Sequence, residues 1–118
     1  MGNAIIDGRD QDFVLHEMLN IEGELCSSAR YADFNRELFD MTLETARKLA
    51  VEEVFPTLME ADREGANFRD GTVTVPKCYH RLKKVFSEGG WAVVSVSPEA
   101  GGQGFPYTMN LAVMEGFI

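Results

Sequence analysis

The chain has 118 residues, 45% of them hydrophobic, with 19 acidic against 11 basic side chains and a formal net charge of -8. A chain of this size removes about two-thirds of its unfolded surface on folding, enough for one core and hence one domain. The acidic balance repels phosphate backbones and anionic lipid alike, which excludes nucleic acid as a partner.

No window approaches ~18 consecutive apolar residues, and the start MGNAIIDGRDQD lacks the basic and apolar regions of a signal peptide. No membrane span is therefore predicted, and a cytoplasmic location is expected. Met1-Gly2-Asn3 matches the opening of an N-myristoylation signal, but Ile6 stands where that signal needs Ser or Thr. Cys26 and Cys78 are too few for a disulfide scaffold, so reduced thiols are expected.

Residues up to Asp12 carry Gly2, Gly8 and mixed charge without periodicity and read as a frayed lead-in. Asp12 reads as the N-cap of a short helix with Val14, Met18, Ile21 and Leu25 on one face, although Gly23 weakens its last turn. Residues 1–32 are accordingly expected to form a leader with a short helix, ahead of a main domain over 33–118.

The stretch Asp33 to Glu64 is the strongest helix signal, with Asp33 as N-cap and a buried face of Phe39, Leu43, Ala46, Ala50 and Val54. Glu37, Asp40, Glu44, Arg47 and Lys48 occupy the solvated side, where Glu44 and Lys48 stand in the favourable i,i+4 order. Pro56 removes a backbone N–H and predicts a kink or a break into two helices. Asp70-Gly71 is a strong turn signal beside the Thr/Val alternation, and a small irregular excursion is expected over Gly65 to Val75. Pro76 suits the first position of a helix with Tyr79, Leu82 and Phe86 as its apolar stripe. Gly89 or Gly90 supplies the left-handed residue that ends it. Trp91 is expected to pack over that helix end, its indole N–H meeting a carbonyl. A last helix begins at Pro106 with Leu111, Met114 and Ile118 on one side. The fold class is all-α, a helical bundle of about four to five helices.

Several groupings invite chemistry and fail on geometry. Cys78 and His80 supply too few ligands for zinc, and nothing in the spacing brings in His16 or Cys26. A Cys78/His80 catalytic pair fails because residues two apart on a helix do not face each other. His16, within an apolar helix, reads as a boundary histidine with a local hydrogen bond. Glu52 with Glu53, and Asp62 with Glu64, sit among charged neighbours and read as solvated acids. Met18, Met41, Met59 and Met114 read as core filler.

The segment Trp91 to Phe105, WAVVSVSPEAGGQGF, admits two readings. As a nucleotide site, Val93, Val94 and Val96 would form a strand and Gly101, Gly102 and Gly104 a phosphate-cradling turn. A dinucleotide fingerprint needs G-x-G-x-x-G, whereas these glycines give G-G-x-G, and no Walker Gly-Lys-Ser/Thr occurs, so the spacing favours a structural loop.

In the other reading, Gly89-Gly90-Trp91 followed by Pro98-Glu99-Ala100-Gly101-Gly102-Gln103-Gly104-Phe105-Pro106 resembles the "GW … PEEYGGQGLP" stretch of acyl-CoA dehydrogenases. Pro56, Asp62-Arg63-Glu64-Gly65, Phe68 and Pro76 follow the family's order, and the resemblance runs from about Asp33 to Ile118. Asp12-Phe13-Val14-Leu15-His16-Glu17-Met18-Leu19 is similar to a leader helix in the larger-chain branch that includes methylmercaptopropionyl-CoA dehydrogenases. Ala100, where the family usually has an aromatic, and Ser95-Val96-Ser97 are departures that weaken the assignment to a branch.

The resemblance implies the N-terminal helical domain of a longer, FAD-dependent, oligomeric enzyme that oxidises acyl-CoA thioesters to enoyl-CoA and passes electrons to an electron-transfer flavoprotein. In that family a carboxylate takes the α-proton and the β-hydrogen leaves as hydride to the flavin. Both groups come from elsewhere in the longer chain. The resemblance therefore assigns no catalytic or cofactor-binding residue to this sequence, no metal-binding residue is expected, and these 118 residues should be inactive and flavin-free by themselves. The apolar run Leu111, Ala112, Val113, Met114, Phe117 and Ile118, which has no capping signal, fits such a fragment. A rival expectation is a free-standing acidic helical module that binds a partner through the face ending in Phe117 and Ile118.

Overall fold

The computed structural model describes residues 3–118; the myristoylation-like Met1-Gly2 lies outside them. The described chain is 63% helical, with one small two-stranded sheet. In chain order the elements are α1 (Gly8–Asp12), α2 (Ile21–Leu25), α3 (Arg36–Leu49), α4 (Leu58–Glu64), β1 (Asn67–Arg69), β2 (Thr72–Thr74), α5 (Cys78–Glu88) and α6 (Tyr107–Met114).

Helix α3 is the axis of the core. Its spacing buries Phe39, Leu43 and Ala46, and Ala50 just beyond it, as the sequence predicts, while Val54, expected on the same face, is half-buried. The cap differs: Asn35, not Asp33, has extended backbone and accepts from the Leu38 amide at 2.8 Å, so the helix starts later than expected. After Leu49 the helix widens over Ala50–Val54, where the Phe55 amide reaches back to the Ala50 carbonyl, and then tightens over Phe55–Thr57. Pro56 is the cause, because it cannot donate in the regular ladder, and α4 is a new segment beyond it.

Helix α6 packs against α3 through Met109, Ala112 and Val113. The expected stripe of Leu111, Met114 and Ile118 is therefore the wrong face: Leu111 is 56% exposed and Ile118 fully so. Apolar residues surround α6, so periodicity gave no direction and the surface of α3 chose the buried side. An aromatic group closes the core. Phe34 and Phe105 rings lie 4.7 Å apart, while Phe117 makes edge contacts with Phe86 at 5.4 Å and Trp91 at 5.6 Å.

From Asn3 onward the lead-in is ordered rather than frayed. Asn3 Oδ1 accepts from the amides of Ile5 and Ile6, and Ile6 is buried against Ala50 and Gly116. Asp7 is the cap of α1, accepting from Arg9 and Asp10, so Asp12 lies inside the helix it was expected to begin. The chain then passes through a wide turn, Phe13–Met18, closed by the Leu19 amide on the Val14 carbonyl at 2.9 Å. That widening rotates Leu15 and His16 inward and leaves Val14 and Met18 exposed. Leu15 and Ile21 share the core of Phe39 and Met109.

The excursion before α5 is a regular hairpin, with Phe68 paired to Val73 and both Asp70 and Gly71 at positive φ. All of its strand residues are exposed. Pro76 precedes α5, whose side chains are at most half-buried; Tyr79, expected in its stripe, is exposed. The left-handed residue that closes the segment is Gly90, with φ 76°.

Candidate functional site

The glycine-dense bend contains no strand: Trp91–Val93 and Pro98–Ala100 are tight helical turns. Every amide that a phosphate would need is already donated. Gly101 bonds the Pro98 carbonyl at 3.0 Å, Gly102 the Ser97 carbonyl at 2.9 Å, and Gly104 the Val96 carbonyl at 2.9 Å. An anion cradle requires free amides converging on one point, and these converge on the protein's own carbonyls. The bend is thus a latch, completed by Gln103 Nε2 donating to the Gly90 carbonyl at 2.7 Å across the end of α5. Trp91 covers the same helix end, its indole lying over Gly89, although among the described residues no carbonyl accepts from it.

The polar centre of the molecule lies elsewhere, where the leader crosses α3. The His16 side chain is only 1% exposed. Its Nδ1 is 2.9 Å from Glu22 Oε2, and because a carboxylate only accepts, Nδ1 carries the proton. Its Nε2 lies 3.0 Å from Asp40 Oδ1 but off the hydrogen-bonding direction, so among the described residues the atom is buried without a hydrogen-bond partner. Asp12, His16 and Asp40 each bring one donor atom within 4.8 Å of the others. Arginines flank them. Arg47 Nη2 donates to Asp12 Oδ1 at 2.8 Å, and Arg36 reaches Asp40 at 3.4 Å and Glu22 at 3.7 Å.

Arg47 also donates through Nε to Gln11 Oε1 at 2.9 Å, while Gln11 Nε2 donates to the Ala112 carbonyl and to Glu115. Leader, α3 and α6 are therefore joined by one polar chain. Arg47, expected on the solvated side of α3, is half-buried for that reason, whereas Glu37, Asp40, Glu44 and Lys48 are exposed.

Burial alone would raise the Glu22 carboxyl, but the hydrogen bond from His16, a backbone hydrogen bond and nearby positive charge outweigh it. The group is held below its ordinary value of 4.5. One helical turn on, burial and the Glu22 charge push the Cys26 thiol up from 9.0, which makes it a poor nucleophile near neutral pH.

The other groupings of the sequence stay apart. Cys78 is half-buried and His80 exposed, and neither they nor Cys26 join the Asp12, His16 and Asp40 group. Glu53 pairs with Arg81, and Glu64 accepts from the Lys77 amide. Met18, Met41 and Met59 are each about 60% exposed rather than core filler; among the described residues, the fully buried methionine is Met109. The local hydrogen bond expected of His16 is present, to Glu22, but the ring is buried rather than at the boundary, Asp40 lies beside it from α3, and Asp12 is inside its helix rather than a cap. The available signal was two acids and a histidine on amphipathic segments, which is too common to single out.

An apolar groove of about 280 Å³ lies between α3, α5 and the end of α6, lined by Leu49, Val54, Leu82, Phe86, Met114 and Phe117. Among the described residues, no helix is long and apolar enough to cross a membrane. Compared with known proteins, the chain matches no protein-family model and no curated sequence.

Proposed function

We propose that this chain is the N-terminal helical domain of a flavin-dependent acyl-CoA dehydrogenase, a scaffold that carries none of the reacting groups itself. The observation that carries this reading is the latch from Gly89 to Pro106. Its glycine amides are spent on backbone carbonyls and its Gln103 clamps the end of α5, so the motif that resembles the family's serves to join two helices. Those spent amides leave no cradle for a flavin's phosphates in the bend, which agrees with flavin contacts made elsewhere in such an enzyme. Its contribution would be a wall: the groove beside Leu82 and Phe117, together with the exposed face of α6, offers apolar surface to the rest of such an enzyme. A cytoplasmic homo-oligomer that hands electrons to an electron-transfer flavoprotein belongs to the same proposal.

The test is the DNA downstream of the Ile118 codon, followed by expression of the longer product. A β domain and a second helical domain, with yellow flavin absorbance and acyl-CoA-dependent reduction of a dye acceptor, are expected. A longer product without flavin or dye reduction overturns the proposal. A stop codon at that point favours a second reading instead. In it the groove and the exposed Ile118 take an apolar helix from a protein partner, as in helix-in-groove recognition.

A further inference from the structure

We infer that Asp12, His16 and Asp40 form a binding site for a divalent transition-metal ion, independent of the dehydrogenase reading. Three observations combine. Among the described residues, His16 Nε2 is a buried nitrogen without a hydrogen-bond partner, and it lies in a group with the carboxylates of Asp12 and Asp40. A buried polar atom in that state is costly unless something satisfies it. With Nδ1 donating to Glu22, Nε2 is the ring nitrogen left to offer a lone pair to a cation. This is the carboxylate–histidine–metal arrangement, in which the outer carboxylate sets the tautomer and raises the basicity of the ring.

The spacing fits an ion better than a hydrogen bond. Two ligands at right angles, each ~2.1 Å from one ion, stand about 3.0 Å apart. Asp40 Oδ1 lies 3.0 Å from Nε2 yet out of line for a hydrogen bond. The three donor atoms already lie within 4.8 Å of one another, so a small contraction closes the set. The carboxylates are oriented from outside. Arg47 holds one oxygen of Asp12 and Arg36 one oxygen of Asp40, leaving a second oxygen on each.

One imidazole and two carboxylates select borderline divalent ions such as Zn²⁺, Co²⁺ or Mn²⁺ over Ca²⁺. Three protein ligands leave positions for water, and Asp40 is exposed enough to admit the ion from solvent. An ion there would tie the leader to α3 at the point where the polar chain crosses.

Co²⁺ titration of the purified chain, followed by visible absorption, tests the site. Expected are one equivalent bound with d–d bands, no thiolate-to-cobalt charge transfer, and displacement by Zn²⁺. His16→Gln and Asp40→Asn should each weaken binding by more than about tenfold, and Glu22→Gln by on the order of 10- to 100-fold. Cys78→Ser and His80→Ala should bind as wild type. Asp40 is exposed, so its variant should fold and decides the matter even if His16→Gln does not. No change in the d–d bands from those of aqueous Co²⁺ at millimolar metal, unchanged affinity in Asp40→Asn, or a charge-transfer band lost in Cys78→Ser would each overturn the site.

Discussion

A Cβ placed on Gly102 would stand 2.0 Å from the carbonyl oxygen of Val96, which is backbone and cannot swing away. The latch therefore requires glycine at this position for space. Gly102→Ala should destabilise the chain by more than about 2 kcal/mol, as strain and overpacking do elsewhere. Gly101→Ala meets no atom within 4 Å and carries only the cost of its φ of 87°, about 1 kcal/mol. Urea unfolding of the two variants reads the difference, and equal midpoints would show that the latch does not hold the fold.

Arg47 connects the leader to the main helix. Its removal in Arg47→Met keeps the apolar stem but orphans Asp12 and Gln11 Oε1, both partly or wholly buried. A loss of about 1–3 kcal/mol is expected. Amide exchange should rise over Gly8–Asp12 more than over Arg36–Leu49. Uniform change in both would mean that leader and α3 unfold together.

The depressed Glu22 carboxyl sets an acid limb. A group whose folded pKa lies below its unfolded value stabilises the fold above the unfolded value and loses that contribution as pH falls through the folded one. Glu22 should thus contribute fully above about pH 4.5 and progressively less below it. With chelator present, wild type should lose stability more steeply than Glu22→Gln as pH drops below this point. Parallel curves would contradict the assignment.

Apolar surface left open on α6 predicts association. Tyr107 is 64% exposed, Leu111 56%, and Ile118 fully exposed, all on or just after one helix. Such patches favour contact between copies. Gel filtration should show larger species as concentration rises, and Leu111→Glu should return the chain to monomer. A strict monomer at high concentration would count against a docking role for this face.

What could be read from the amino-acid order was local. The spacing of Phe39, Leu43, Ala46 and Ala50 marked the core face, because a helix repeats every ~3.6 residues whatever surrounds it. Pro56 broke the same helix by lacking a donor, and Asp70-Gly71 turned a hairpin by accepting positive φ. The bend after Trp91 was readable as structural from the spacing of its glycines alone.

What needed the folded molecule was pairing at a distance. The buried side of α6 could not be foreseen because every side of it is apolar, and only the fit of Met109 and Val113 onto α3 chose one. His16 meets Asp40, and Arg47 meets Asp12, between the leader and α3, pairings that no local pattern in the sequence announces. Periodicity records which face a segment hides; which charged groups are then brought together depends on how two hidden faces dock, and that is decided by shape in three dimensions.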